Sequence, residues 1–348
     1  MDALPERLTP RIGWVCNWLV PGLPEKDAKA FNFRDTTVSA LLRLERSARV
    51  DKLHELLRHN AAALRRQVAL TAALPPGQRA MRIASHAFPC YTHPDTRPLY
   101  DEPALREVIE ALFPPIGTQA LAGDVRLSTH PGQFCVLTST RDDVLRSSVD
   151  EVEYHTELMR LLGLADGWHR RGAHINIHGG AKAPGIEAFR AGFARLSDAA
   201  KGLLTVENDE VAYGLDDLLP LADTLPMVLD LHHHWVATGE YIQPDDKRVG
   251  AVAASWRGVR PMAHVSAPRE EFREIAPDTL PDRAALIEAG FNGRDLRAHS
   301  ARLWNPAHAA WARSHLVWTD LEVEAKDKNL ASAEFAAPLL RADMAATG

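Results

Sequence analysis

A short apolar, β-favouring segment recurs along this chain, and each recurrence is followed by a stretch with helical character. Strands that alternate with helices form parallel sheets, and eight such units over 348 residues predict one (β/α)8 barrel of the α/β class, a TIM barrel. The predicted strands are Arg11–Cys16, Met81–Ser85, Val125–Thr129, Ala173–Ile177, Leu203–Val206, Met227–Leu229, Met262–Val265 and Asp320–Val323.

The stretches between these strands have apolar residues near helical spacing. The first is stopped by Pro75-Pro76-Gly77, whereas residues 267–314 are polar and broken by proline and glycine, which predicts an insertion with short helices. The predicted helical segments are Thr37–Leu74, Pro103–Leu112, Asp142–Leu162, Gly185–Leu196, Leu215–Ala222, Lys247–Trp256 and a tail over residues 329–348.

A doubly wound open sheet is the competing architecture. It requires a glycine-rich phosphate turn after an early strand, and neither GxGxxG nor GxxxxGK[ST] occurs in the sequence. No low-complexity linker divides the chain. We therefore predict a single domain over residues 1–348, with the barrel core at about 11–330.

Charge and cysteine content limit the classes of function. The net charge of −6 argues against a generally basic surface, although 32 of the 40 basic residues are arginine and could form a local phosphate-binding set. Cys16, Cys90 and Cys135 are far apart, which predicts neither a disulfide framework nor a thiolate zinc site. With no apolar run of about 18 residues, we expect a soluble, cytoplasmic protein without a membrane span.

Histidine or carboxylate residues follow most of the predicted strands. In a barrel the carboxyl ends of all strands meet at one rim, where the active sites of such enzymes lie. The residues concerned are His93, His130, His178, Glu207, Asp230, His264 and Glu324, together with the run His232-His233-His234, of which at most one or two can bind a metal.

Imidazoles and carboxylates without thiolates are the ligands of Zn²⁺, Mn²⁺ or Fe²⁺. Seven or more such ligands favour two or three ions over one, and Glu207, Asp230 and Glu324 would bridge them. Adjacent divalent ions lower the pKa of a bound water, hold a phosphodiester oxygen and stabilise the leaving oxygen. A single histidine at a strand end is more often structural, but six strand ends with histidine or carboxylate indicate a shared site.

The segment LSTHPGQF shows how such a residue is presented. The third strand ends at Thr129 and delivers His130, and Pro131 and Gly132 then turn the chain so that Gln133 and Phe134 project beyond it.

The ordered set of motifs resembles the UV damage endonuclease family from about residue 11 to 330. The motifs are RIGWVCN, FPCYTH, LSTHPGQF, the pair Tyr154-His155, INIHGG, VENDE, MVLDLHHH, AHVS and EVEAKDK. The family is similar to endonuclease IV. The resemblance implies a (β/α)8 barrel with a cluster of divalent metals, typically manganese, that nicks DNA immediately 5′ of pyrimidine dimers and other lesions.

The resemblance also implies roles for individual residues. Gln133 and Phe134 fall where the family inserts a residue pair into the duplex at the lesion, and Trp14 and Asn17 match positions near the DNA. Among the ligands, the reaction would rest on Glu207, Asp230, His264 and Glu324. The implied metal ligands are His93, His130, His178, Glu207, Asp230, His233, His264, His299 and Glu324.

Two positions depart from the family pattern. Phe134 replaces the tyrosine of the inserted pair, which keeps the stacking surface and loses the hydroxyl. Met262 stands where the family often has a chemically modified lysine that faces the metals, and a thioether is a poor ligand for a hard metal.

The leading hypothesis is a monomeric, metal-dependent endonuclease that acts on double-stranded damaged DNA. It would use two or three divalent ions, with Mn²⁺ foremost and Zn²⁺, Fe²⁺, Mg²⁺ or Co²⁺ as alternatives. Two other hypotheses stay open: a barrel metalloenzyme of the sugar-isomerase type that acts on a small molecule, and a lesion-binding homologue that has lost catalysis.

Overall fold

Eight parallel strands form a closed barrel in chain order, with β8 paired to β1. The computed structural model describes residues 9–132 and 135–347. The strands are β1 Ile12–Cys16, β2 Ala80–Ile83, β3 Arg126–Thr129, β4 His174–His178, β5 Leu204–Glu207, β6 Met227–Asp230, β7 Met262–Val265 and β8 Asp320–Val323. The predicted single-domain (β/α)8 fold is therefore confirmed.

Helices connect the strands on the outside of the barrel, and short 3₁₀ turns extend several of them. The helices are α1 Glu25–Ala28, α2 Val38–Leu42, α3 Arg46–Ala72, α4 Pro103–Ala122, α5 Asp142–Leu161, α6 Ile186–Ala194, α7 Asp198–Lys201, α8 Leu215–Leu218, α9 Leu231–Thr238, α10 Lys247–Ser255, α11 Arg283–Glu288, α12 Gly293–Arg297, α13 Pro306–Ser314 and α14 Lys328–Thr347. None of the described helices combines the length and apolarity needed to cross a bilayer.

Side chains alternate between the two faces of each strand, and the two faces differ in polarity. On β2, Met81 and Ile83 belong to the apolar core that the helices cover, whereas Arg82 points into the barrel and contacts glutamates of the β8 segment. Arg126 and Ser128 on β3 likewise bond to buried carboxylates. The main apolar core therefore lies between strands and helices, while the barrel interior is largely polar.

Ion pairs fasten the amino-terminal end of the barrel. Asp320 at the start of β8 accepts from Arg126 Nη1 at 2.9 Å and from Arg260 Nε at 2.7 Å. The backbone N–H of Arg11 also donates to Asp320, at 2.9 Å. Trp256 is buried at the same end and donates to the carbonyl of Met227 at 2.8 Å. This end is filled by structural contacts, which leaves the opposite rim for chemistry.

Two helical segments differ most from the sequence prediction. The segment predicted as one helix over Thr37–Leu74 is divided into α2, which Thr37 caps through the N–H of Ala40, and α3, because Glu45 between them has an extended backbone (φ −64°, ψ 155°). In contrast, α4 continues past Pro114 and Pro115, where the sequence predicted an end, because its buried face extends beyond the prolines.

The helix α9 was not predicted. It begins directly after β6, with Asp230 as its N-cap, so the three consecutive histidines lie on a helix. Residues 267–314 fold over this helix with short helices of their own, and Phe272, Leu286 and Leu296 share a small apolar cluster with Trp235.

Candidate metal centre

Three overlapping groups of potential ligands lie among the described residues at the carboxyl end of the barrel. Within each group the ligand atoms lie within 4.8 Å of one another. The first group contains His130, His178 and Glu207, the second Glu207, Asp230 and His233, and the third Asp230, His264 and Glu324. Because Glu207 and Asp230 each belong to two groups, the three potential positions are adjacent and joined by carboxylates.

Glu207, the last residue of β5, is the centre of this arrangement. Its Oε1 lies 2.9 Å from His264 Nδ1, and its Oε2 lies 3.2 Å from His130 Nε2. Asn176 also donates to Oε2. Burial favours the neutral carboxyl, but the nearby imidazoles of His264 and His178 outweigh it and hold the pKa of Glu207 well below its usual value. Glu207 is therefore an ionised, buried carboxylate.

Asp230 presents one oxygen to the protein and the other to the site. Its Oδ1 accepts from the backbone N–H of His233 at 2.7 Å, whereas its Oδ2 is buried and has no hydrogen-bond partner among the described residues. Burial raises the pKa of Asp230. A buried carboxylate oxygen without a donor is unfavourable unless a cation compensates it. The donor set of imidazoles and carboxylates thus fits a divalent ion such as Mn²⁺, Zn²⁺ or Fe²⁺.

Helical spacing selects His233 from the three histidines. A residue three positions after Asp230 lies on the same face of α9, and His233 Nδ1 is 3.0 Å from the carbonyl oxygen of Asn208. Burial opposes the charged imidazolium, but the carboxylates of Asp230 and Glu207 outweigh it and raise the pKa of His233 to about 9. His232 instead stacks on Trp235, and neither it nor His234 belongs to the three groups.

Two further charged residues reach the third group from below, and the sequence interpretation missed both. Arg82 Nε lies 2.9 Å from Glu322 Oε2, and Arg82 Nη1 donates to Glu324 Oε1. Although burial favours the neutral carboxyls, Arg82 holds the pKa of Glu322 and of Glu324 well below the usual value. Strand parity could have found Glu322, because it is two residues before Glu324 and so points to the same side.

Two of the proposed ligands lie outside the three groups. The side chain of His93 is 43% exposed and its Nδ1 is 3.9 Å from Asp95 Oδ2. His299 Nδ1 lies 3.3 Å from Ser266 Oγ, and its ring centroid is 6.5 Å from that of His233.

The proposed DNA-contacting residues differ in their placement. Trp14 is 1% exposed and donates to Thr71 Oγ1 at 3.2 Å, so its ring lies in the core between β1 and α3, and the structure does not support a direct contact with DNA. Asn17, directly after β1, is exposed at the rim. Gln133 and Phe134 lie outside the described residues.

Met262 lies two residues below His264 on β7, in the layer nearer the amino-terminal end. It is fully buried in an apolar cluster with Ala80, Val228 and Trp256. Its side chain therefore belongs to the barrel core, and the cation that reaches the potential metal ligands from below is Arg82.

Comparison with known proteins gives consistent matches. Residues 10–344 match the family described as UV-endonuclease UvdE. The UV-damage endonuclease of Neurospora crassa is 34% identical over 239 residues, which cover 61% of this chain and only 36% of that longer protein. The UV DNA damage endonuclease of Bacillus cereus strain G9842 is 29% identical over 254 residues, or 69% of this chain and 74% of the relative.

Among solved structures, the crystal structure of SacUVDE superposes with a TM-score of 0.73 at 22% identity and covers 96% of this chain and 99% of that one. This likeness supports the fold. The match over residues 10–344 leads to one conclusion: the chain belongs to the UV-endonuclease UvdE family.

Proposed function

We propose that this protein is a metal-dependent DNA-repair endonuclease that nicks the phosphodiester 5′ to UV photoproducts or related lesions. Family membership supports a DNA-cleaving hydrolase. The observation that carries the proposal is the chain of three ligand groups joined by Glu207 and Asp230 at the barrel rim. Such a chain of positions suits a phosphodiester, whose attacking and leaving oxygens both need charge stabilisation.

Two or three divalent ions are proposed for this centre, with Mn²⁺ the first candidate. Bound ions would supply an activated water and stabilise the leaving oxygen. Glu207 would hold the first and second positions together, and Asp230 the second and third, while its other oxygen keeps the start of α9 in place. His264 and Glu324 would complete the third position, and His130 and His178 the first.

His93 and His299 stay proposed as additional ligands. Both lie outside the three groups in the described conformation, so their participation requires the side chains to turn toward the centre.

Lesion recognition is proposed for the loop after β3. Gln133 and Phe134 follow His130 by three and four residues, so a wedge inserted at a damaged base step would lie close to the first ligand group. Damaged steps unstack at lower cost than intact ones, which favours insertion at the lesion. Asn17 is proposed to contact the same DNA from the end of β1, whereas Trp14 would act indirectly, through its edge contact with Trp18.

An oligonucleotide duplex with a single pyrimidine dimer tests this function. Incubation with Mn²⁺ should give one nick 5′ to the dimer, and the undamaged duplex should stay intact. Glu207→Gln, which removes the shared negative charge and keeps the side-chain size, should bind the damaged duplex without cutting it.

The assay also separates the alternatives. A wild-type protein that contains metal and binds the damaged duplex but never nicks it would be the impaired lesion-binding homologue. Metal-loaded protein that neither binds nor nicks the duplex would refute the proposal.

We also propose that the protein is a monomer, which size-exclusion chromatography would test.

A further inference from the structure

Arg82 and Glu322 form a buried ion pair beneath the rim, and the proposed function gives this pair no role. Their side chains are 7% and 1% exposed. Arg82 Nε and Nη2 lie 2.9 Å and 2.8 Å from the same oxygen of Glu322, Oε2, while Ser128 Oγ donates to Oε1. Replacement of a buried ion pair by apolar residues is often neutral for stability, so the pair does not have to be a requirement of the fold.

The orientation of His264 connects this pair to the metal centre. Its Nδ1 faces the rim, 2.9 Å from Glu207 Oε1 and 3.5 Å from Glu324 Oε1. Its Nε2 faces the barrel interior, 3.5 Å from Glu322 Oε2 and 2.7 Å from Arg82 Nη2. Nδ1 is therefore the nitrogen that can reach an ion shared with Asp230 and Glu324.

A neutral imidazole that binds an ion through Nδ1 carries its proton on Nε2. A guanidinium has only donors, so Arg82 cannot accept that proton. Without an ion, Arg82 Nη2 donates to Nε2 at 2.7 Å, and Nδ1 can donate to Glu207. With an ion on Nδ1, the Nε2–H would turn from Arg82 toward Glu322 Oε2, the carboxylate oxygen that lies 3.5 Å away. Ligand histidines commonly donate to a carboxylate in this way, which fixes the ring and increases its basicity.

Arg82 holds the second ligand of the same group. One arm of its guanidinium contacts Glu322, and Nη1 donates to Glu324. Arg82 on β2 reaches across β1 to these glutamates, and the residue paired with Glu322 on β1 is Gly13, which has no side chain to obstruct the contact. His264 and Glu324 are thus supported by one ion pair.

We propose that Glu322 and Arg82 are positioning residues that set the affinity of one ion, the ion held by Asp230, His264 and Glu324. Glu322 accepts the Nε2–H of His264, and Arg82 fixes the carboxylates of both glutamates. The inference rests on the proposed metal centre and is independent of the DNA substrate.

The test is a count of bound Mn²⁺ and its affinities, measured without DNA by metal analysis after dialysis and by titration followed with electron paramagnetic resonance. The double variant Arg82→Met/Glu322→Met removes both charges together, so neither member of the pair is left buried without the other. We expect one ion to bind about 10- to 100-fold more weakly, which is typical for loss of an outer partner, and the other ions to bind as in the wild type.

Conservative variants distinguish positioning from a general structural effect. Arg82→Lys keeps the charge but loses the fork, so it should weaken the same ion less than the double variant does. Met262→Leu is the control, because this buried residue lies in the apolar layer below His264, and it should leave every affinity unchanged.

Three outcomes would overturn the inference. The double variant could bind all ions with wild-type affinity, bind all of them more weakly by the same factor, or bind one ion more tightly than the wild type. Tighter binding would mean that Arg82 is a cation that competes with the metal. A wild-type protein that binds no divalent ion would instead refute the metal centre itself.

Discussion

Asp230 performs two tasks with the two oxygens of one carboxylate. Oδ1 caps α9 through the N–H of His233, and Oδ2 is left without a donor among the described residues at the junction of two ligand groups. Because the cap fixes the carboxylate, the free oxygen is held toward the site before any ion binds. A residue required for local folding is thereby also oriented for metal binding.

The two tasks can be separated by substitution. Asn caps helices about as well as Asp, so Asp230→Asn should keep the helix cap and lose less metal-free stability than Asp230→Ala, while it weakens the ions of the second and third groups. Asp230→Ala should lose both functions and cost about 1 kcal/mol in unfolding free energy for the cap alone. Urea denaturation and metal analysis would measure the two effects. Full metal content in Asp230→Asn would contradict the bridging role.

The pKa of His233 makes a second prediction, on pH. The folded-state pKa of about 9 lies above the unfolded value of 6.5, so the protonated ring stabilises the metal-free protein fully below pH 6.5, and this stabilisation is lost as the pH rises through 9. The difference in unfolding free energy between wild type and His233→Asn should therefore shrink from pH 6.5 to 9.

The same proton opposes metal binding, because a ligand imidazole must be neutral. Mn²⁺ affinity should increase over that interval, by at most about tenfold per pH unit for one displaced proton. Constant affinity between pH 6.5 and 9 would show that His233 does not exchange a proton for the ion.

At the scale of elements, strands were easier to predict than helix ends. A buried strand is a short apolar run, and tertiary structure changes its limits little, as β7 and β8 show. Helix limits depend on burial: α4 passes Pro114 because Phe113, Ile116 and Ala120 continue its buried face. The helix α9 was hidden because its first four residues, one leucine and three histidines, show no apolar helical spacing, although an aspartate cap and Gly239 at the end were readable signals.

The close packing of α4 against the end of α5 leads to an element-scale prediction. A Cβ at Gly117 would lie 2.1 Å from the carbonyl oxygen of Leu162, so Gly117→Ala should push the two segments apart and cost about 1–3 kcal/mol in unfolding free energy. Gly250 in α10 is the matched control, since no described atom lies within 4 Å of its added Cβ.

Gly250→Ala should raise the unfolding free energy by up to about 1 kcal/mol, the helix propensity difference. Urea titration would measure both variants, and their bound metal should not change. Equal stabilities of the two variants would show that α4 can move away from Leu162 without loss.

For the whole molecule, barrel closure determines which predicted ligands meet. The rule that strand ends share a rim identified His130, His178, Glu207, Asp230, His264 and Glu324, which the structure brings together. The same rule does not fix the stagger of strands around the barrel, so the reach of Arg82 across β1 could not be read from the sequence. Long loops are equally undetermined, and His93 and His299 both lie on them, outside the three groups.

An exposed lysine at the rim gives the last prediction. With a net charge of −6, the protein needs local cations for DNA, and exposed Lys326 lies two residues beyond Glu324 at the rim. If Lys326 contacts a phosphate, Lys326→Ala should weaken binding to any duplex and reduce the slope of log affinity against log salt by about 0.9.

Lys201→Ala is the control, because Lys201 ends α7 just before β5, at the opposite end of the barrel. Fluorescence anisotropy over a salt series would measure both slopes. An equal change in the two variants would mean that DNA does not bind preferentially at the rim that carries the ligand groups.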